Sequence, residues 1–166
     1  VRTTGSSKVL TDRVPTEDST ATAKLSQAGA VLLGKLAMHE FALGGPDPSN
    51  GFPLAKNPWN LEHIPGGSSS GSGTAIAAGL AMGTLGSCTG GSIRGPAAFC
   101  GIAGIKATYG RVSRYGVLPL SWSLDHCGPL TWTVEDSAIM LQAIAGHDPK
   151  DPTSSRAPVP DYMSSM

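Results

Sequence analysis

"GGSSSGSGTAIAAGLAMGTLGSCTGGSIRGPAAFCG", residues 66–101, carries the reading of the fold. A Gly/Ser-rich turn leads into a small-residue helix, expected over roughly residues 70–82. "GTLGS" then fits a short strand. "SIRGPAAFCG" reads as a turn and a short helix, whose regularity Gly95-Pro96 limits. Downstream, "IAGIKATYGRVS" holds a short strand and a turn, and "CGPLTWT" a further strand. "TVEDSAIMLQAIAG" is the clearest helix. Thr133 and Asp136 make a capping box, Val134, Ala138, Leu141 and Ile144 form the apolar face, and Gly146 ends it.

Upstream, "DSTATAKLSQAGAVLLGKL" opens with Asp18 or Ser19 as a helix cap. Ala21, Leu25 and Ala28 follow at helical spacing, and Gly29 stops the helix. "AVLLGK" is a continuous apolar run, which predicts a strand buried on both faces. "AMHEFAL" predicts one or two helical turns. Residues 44–66 form a long proline-containing loop, a type that is usually functional or disordered. Helices alternate with strands, so the expected class is α/β with a mixed, largely buried sheet flanked by helices.

Composition narrows the function. Twelve basic and twelve acidic side chains give no net charge, which argues against a nucleic-acid footprint. No apolar run approaches the ~18–20 residues of a membrane span, and no signal-peptide pattern opens the chain. Cys88, Cys100 and Cys127 are odd in number and lack CxxC spacing, which fits a reduced, cytoplasmic compartment better than a disulfide framework or a zinc site. Cys100 and Cys127 read as small core residues, and Cys88 as an inert one. Trp59, Trp122 and Trp132 read as packing residues rather than a substrate platform, with the loop position of Trp59 leaving the platform open. "VRTTGSSK" and "DPKDPTSSRAPVPDYMSSM" are loop-like ends, as of a piece of something longer.

Twelve of the 22 glycines fall in residues 66–104. Glycine permits close backbone approach, and successive free N–H groups make a nest for an anion. "TGGS", residues 89–92, is such a nest. A phosphate is one candidate anion, but neither G-x-x-x-x-G-K-[ST] nor a well-placed G-x-G-x-x-G is present. The other is the oxyanion of acyl transfer, whose donors belong beside a nucleophile. Ser92 is that neighbour. A serine hydroxyl needs a base. His39, His63, His126 and His147 are the histidines, and none is singled out. His147 ends a helix and reads as exposed. His126 follows Asp125 directly, and adjacent strand residues face opposite ways. The alternative base is a lysine held neutral by burial or by neighbouring cations. A serine of "GGSSSG" would then carry the proton between lysine and nucleophile.

"PGGSSSGSGTAIAAGL", followed by "GSCTGGSIRGPAAFCGIAGIKATYGRVSRYGVLPLSWSLDHCGPLTWTVEDSAIMLQAIAG", resembles the amidase signature family. "AGAVLLGKLAMHEFALG" and "NPWN" match it as well, so the resemblance covers nearly the whole chain. It implies the family's α/β fold, with a mixed sheet core between helices. It also implies a Ser–cis-Ser–Lys triad that hydrolyses carboxamides through an acyl-enzyme. By resemblance Ser92 is the nucleophile, and Ser68 is the bridging serine after a cis peptide. The N–H groups of Thr89, Gly90, Gly91 and Ser92 are the oxyanion hole, and Arg94 orders that loop from behind.

The chain departs from the family at several points. The family's catalytic lysine precedes the "TT" that matches Thr3-Thr4, so residues 1–166 read as a partial amidase domain without that lysine or the C-terminal half. Lys35 matches a different family position. Cys88 stands where the family has Asp, and Ala107 where it has Pro. The expected function is hydrolysis of a small-molecule amide to an acid and ammonia or an amine, with no metal or other cofactor and no membrane partner. A homodimer is left open. One alternative is the glutaminase component of a tRNA-dependent amidotransferase, which would need partner subunits. "FALGGPDPSNGFPLAKNPW" is less like that component's loop than like stand-alone amidases. An alternative of another class is a non-catalytic binding module.

Overall fold

A computed structural model describes every residue of the chain except Ser165. Its regular elements are α1 (Thr20–Gln27), α2 (Ser70–Ala77), β1 (Gly83–Cys88), α3 (Arg94–Cys100), β2 (Ala103–Gly104), β3 (His126–Thr131) and α4 (Val134–Ile144). The α/β class read from the sequence holds. The three strands lie in the order β1-β3-β2, and both pairings are antiparallel. The register runs from Gly83 opposite Thr131 to Cys88 opposite His126.

β3 is the central strand and is buried from Cys127 to Thr131. Its alternation divides the core into two clusters. Cys127 packs with Ala21 of α1 and with Leu141 and Ile144 of α4. Leu130 packs with Cys88, Ile93 and Ala97, beside α3. The period of two along β3 thus sends alternate side chains to different helices. Among the described residues no helix is long and apolar enough to cross a membrane.

Local chemistry sets the helix ends. The Ser19 hydroxyl, not Asp18, caps α1 by accepting from the Thr22 N–H. In α4 the Thr133 hydroxyl accepts from the Asp136 N–H, and the Asp136 carboxylate accepts from the Thr133 N–H. The expected apolar face of α4 needs one correction. Val134 is exposed, and buried Ser137 takes its place on the stripe, held by a hydroxyl bond to Thr131. Helix α2 is shorter than expected. Gly79, at φ +68°, closes it with Gly79 N–H to Ile76 O and Leu80 N–H to Ala75 O, a pattern that left-handed glycine makes easy.

Two upstream expectations are overturned. Residues 30–35 form no strand, and Val31, Leu32 and Leu33 lie exposed. Among the described residues none of the three strands reaches this run, so it has no ladder to join. "AMHEFAL" makes only a 3-10 turn, Glu40–Ala42, because Phe41 (φ 48°) and Ala42 (φ 66°) leave the right-handed helical region. The tryptophans are not core residues either. Trp59, Trp122 and Trp132 each expose more than half of their surface, and the Trp59 indole N–H is spent on Cys100 O at 2.7 Å.

Candidate active site

Residues 66–69 lie directly on the turn that opens α3. At Gly66 the backbone has φ +80°, and an added Cβ would stand 3.0 Å from Pro96 Cα, so two backbones touch where no side chain fits. The Ser69 N–H donates to Ser92 O at 3.3 Å. These contacts bring "GGSS" and "GGSI" together, although they lie far apart in sequence. The Gly67–Ser68 peptide is cis.

The serines of this segment divide sharply by their partners. The Ser69 hydroxyl bonds both the carbonyl and the N–H of Ser87 at 3.3 Å. The Ser70 hydroxyl donates to Ala37 O, and that of Ser72 to Leu85 O. These three hold α2 against its neighbours. Ser68 is 3% exposed, yet its hydroxyl has no hydrogen-bond partner among the described residues. Buried hydroxyls are nearly always satisfied, so an orphaned one needs an explanation.

Ser92 is half-buried on the loop between β1 and α3. Among the described residues the N–H groups of Thr89, Gly90, Gly91 and Ser92 have no acceptor. Space is open beside Gly90 and Gly91, where an added Cβ would meet nothing within 4 Å. The loop is tied back on its far side. Arg94 Nη2 donates to Gly90 O at 3.3 Å, and the Gly95 N–H to Gly91 O at 2.7 Å. Its carbonyls are therefore engaged while its donors remain free, as stabilisation of an oxyanion requires.

Asp125 anchors the start of this loop, a role that sequence reasoning missed. Its carboxylate accepts from the Thr89 hydroxyl and from the N–H groups of Leu120 (2.7 Å) and Ser121 (2.9 Å). His126 faces elsewhere. Its Nδ1 lies 2.6 Å from Leu124 O and 3.2 Å from Cys88 O, and Lys106 Nζ lies 3.2 Å from its Nε2. Carbonyls only accept, so Nδ1 carries the hydrogen and Nε2 accepts from the lysine. Asp125 and His126 are thus neighbours with separate partners. Both line a cavity of about 230 Å³ with Arg114, Trp122 and Lys150.

The remaining candidates disperse. His63 and Lys35 are exposed. His147 is exposed too, with Nδ1 3.0 Å from the Ser154 hydroxyl. His39 is buried and packs against Gly67. Among the described residues no lysine is hydrogen-bonded to Ser68 or Ser92, and no cluster of three or more His, Cys, Asp or Glu side chains could hold a metal ion. Cys88, at the position where Asp was expected, is completely buried among Ile93, Ala97 and Leu130. Burial pushes the Cys100 thiol up, and the Cys127 thiol up to about 12.

A family model described as Amidase matches residues 1–166. The A subunit of glutamyl-tRNA(Gln) amidotransferase from Geobacter metallireducens is 58% identical over 166 residues, which are 100% of this chain and 34% of that protein. Its counterpart from Moorella thermoacetica is 57% identical over the same span, again 34% of its length. Among solved structures, the Thermotoga maritima counterpart superposes with a TM-score of 0.92 at 45% identity, over 96% of this chain and 35% of that one. The native peptide amidase of Stenotrophomonas maltophilia superposes with a TM-score of 0.87 at 39% identity, over 98% and 35%. The chain spans about a third of the length of the curated relatives it matches.

Proposed function

Because the chain belongs to the amidase family, we propose that the protein carrying it hydrolyses a carboxamide C–N bond through an acyl-enzyme on Ser92. The observation that carries this reading is the Ser68 hydroxyl, buried and unpartnered beside a loop whose N–H groups are free. Ser92 Oγ attacks the amide carbonyl carbon, and the oxygen takes up negative charge within reach of the N–H groups of Thr89 to Ser92. The Ser92 proton passes through Ser68 to a base, which the family resemblance assigns to a lysine outside residues 1–166. The proton then goes to the leaving nitrogen, and ammonia or an amine departs. Water attacks the acyl-Ser92 ester, the acid leaves, and Ser92 regains its proton. Arg94 and Asp125 hold the loop from behind, and the reading calls on no cofactor.

Two amides compete as substrate. Identities of 54–58% to eight of these amidotransferase components, against 39% to the native peptide amidase, favour glutamine as the amide. Ammonia would then pass to a partner protein. The loop "FALGGPDPSNGFPLAKNPW" supports a free amide instead.

Ammonia release by the complete protein, from glutamine and from simple primary amides, is the test. Ser92→Ala is expected to lower turnover at least ~10³-fold and to abolish labelling by a serine-directed phosphonate. A variant that is labelled or turns over like the parent sinks the assignment. Glutamine turnover only in the presence of a partner protein selects the amidotransferase reading. A parent protein that binds no phosphonate and releases no ammonia selects the binding module.

A further inference from the structure

His39 touches the candidate site through three kinds of contact. Its backbone N–H donates to Ser68 O at 3.0 Å. Its ring fills the side-chain space of residue 67, since a Cβ added to Gly67 would lie 2.0 Å from His39 Cε1 and 2.4 Å from Nε2. Its Nδ1 lies 3.0 Å from Gly44 O, which only accepts, so Nδ1 carries the hydrogen. His39 as a whole residue is 9% exposed, and its imidazole sits between the Gly44 turn and the peptide that leads to Ser68.

The neighbouring chain is laced to the same place. The Gly71 N–H and the Ser70 hydroxyl both donate to Ala37 O. Residues 37–39 therefore dock along residues 68–71. On the opposite side, the Ser69 N–H donates to Ser92 O. The Ser68 hydroxyl makes no bond of its own among the described residues, so no hydrogen bond fixes where it points, and its place follows from its backbone and the packing around it. That backbone is held between His39 and Ser92.

We propose that His39 is a positioning residue, whose wedged, Nδ1-protonated imidazole sets the place of Ser68 Oγ relative to Ser92. The proposal rests on the assignment of Ser68 as proton carrier and Ser92 as nucleophile. A polar group displaced by about an ångström can cost ~10²-fold in rate while substrate binding is untouched. His39 acts on that displacement and does not touch the reacting atoms.

The test uses the complete protein and its amide hydrolysis, read as separate kcat and KM values. His39→Ala is expected to lower kcat ~10- to 100-fold with KM within about twofold. His39→Asn puts an amide N–H near the Nδ1 position and is expected to keep kcat within about threefold, whereas His39→Gln, which mimics Nε2, behaves like His39→Ala. Gly67→Ala forces a methyl into the ring and lowers kcat. The double variant His39→Ala/Gly67→Ala recovers part of that loss, because the methyl takes the space the ring vacates. An unchanged kcat in His39→Ala, a loss confined to KM, or rescue by Gln and not Asn overturns the proposal. Should His39→Ala fail to fold, the Asn and Gln variants decide. Turnover that survives Ser92→Ala removes the underlying reading and this proposal with it, so the two failures are distinguishable.

Discussion

The Thr89 hydroxyl donates a short hydrogen bond to the Asp125 carboxylate, 36 residues further along the chain. The same carboxylate gathers the Leu120 and Ser121 N–H groups. One buried side chain therefore joins the turn before β3 to the glycine loop that carries Ser92. The loop's donors stay pointed where they are because its first residue is pinned.

Removing that pin is expected to loosen both ends. Asp125→Ala leaves three donors without an acceptor, and a hydrogen bond to a charged group is worth about 1.5–3 kcal/mol. Urea unfolding of the complete protein should show a loss of at least that size, together with slower phosphonate labelling of Ser92. Asp125→Asn keeps one acceptor oxygen and should lie between the two. An Asp125→Ala variant with parental stability and labelling would show that the pin is dispensable.

Ser68 and Ser69 are adjacent but should respond in opposite ways. The Ser68 hydroxyl is buried without a partner, so Ser68→Ala should change stability by less than ~0.5 kcal/mol, or raise it, while activity falls ~10²-fold or more. Ser69→Ala breaks two bonds to Ser87 and should cost about 1–2 kcal/mol. Its activity should follow the folded fraction alone. Thermal melts beside ammonia assays separate these patterns, and a reversed pattern would remove the proton-carrier role.

The three thiols should be silent in the folded protein. All are buried, and Cys127 is pushed up to about 12 by loss of solvation. A thiol-reactive dye should label none of them natively and all three in denaturant. The sign of the pH effect follows. Between the unfolded thiol's ~8.5 and about 12, only the unfolded chain gives up its proton, so stability falls as pH rises through that range. Rapid native labelling of Cys127 would refute the burial argument.

Acid should act on two carboxylates. Burial pushes Asp148 and Asp151 up, but their hydrogen bonds outweigh it and hold both below the usual range. For Asp148 the donors are the Ser113 and Thr20 hydroxyls and the Lys150 N–H. For Asp151 they are the Arg114 and Thr153 N–H groups and the Thr153 hydroxyl. Carboxylates lowered in the folded state contribute stability that is present above the unfolded value of ~3.9 and lost as pH falls through the folded one. The urea midpoint should drop below about pH 4. Asp148→Asn should be less stable at neutral pH and flatter on the acid side, and an unchanged acid limb would argue against the hydrogen-bonded carboxylate.

Elements with local causes were legible in the sequence. Thr133 and Asp136 announce α4, and "GTLGS" and "CGPLTWT" fall on β1 and β3. Contacts between distant residues were not. His39 meets Gly67 across the chain, and nothing around "MHEF" marks that histidine as buried. Asp125 was weighed only against its neighbour His126, whereas its partner is Thr89. "AVLLGK" shows the opposite limit. Its composition asks for burial on both faces, but a run of apolar residues cannot supply the strand it would pair with.

That run also governs how residues 1–166 would behave in a tube. Val31 and Leu33 are about four-fifths exposed, and among the described residues the peptide groups of 31–36 make no hydrogen bonds. A bare, apolar run with unpaired peptide groups, although not itself a strand, offers a place where another copy can pair. Solutions of the segment alone should scatter more light as they are concentrated, and Leu33→Lys should keep them clear. If it clumps in this way, activity lost with the isolated segment would report on self-association rather than on Ser92.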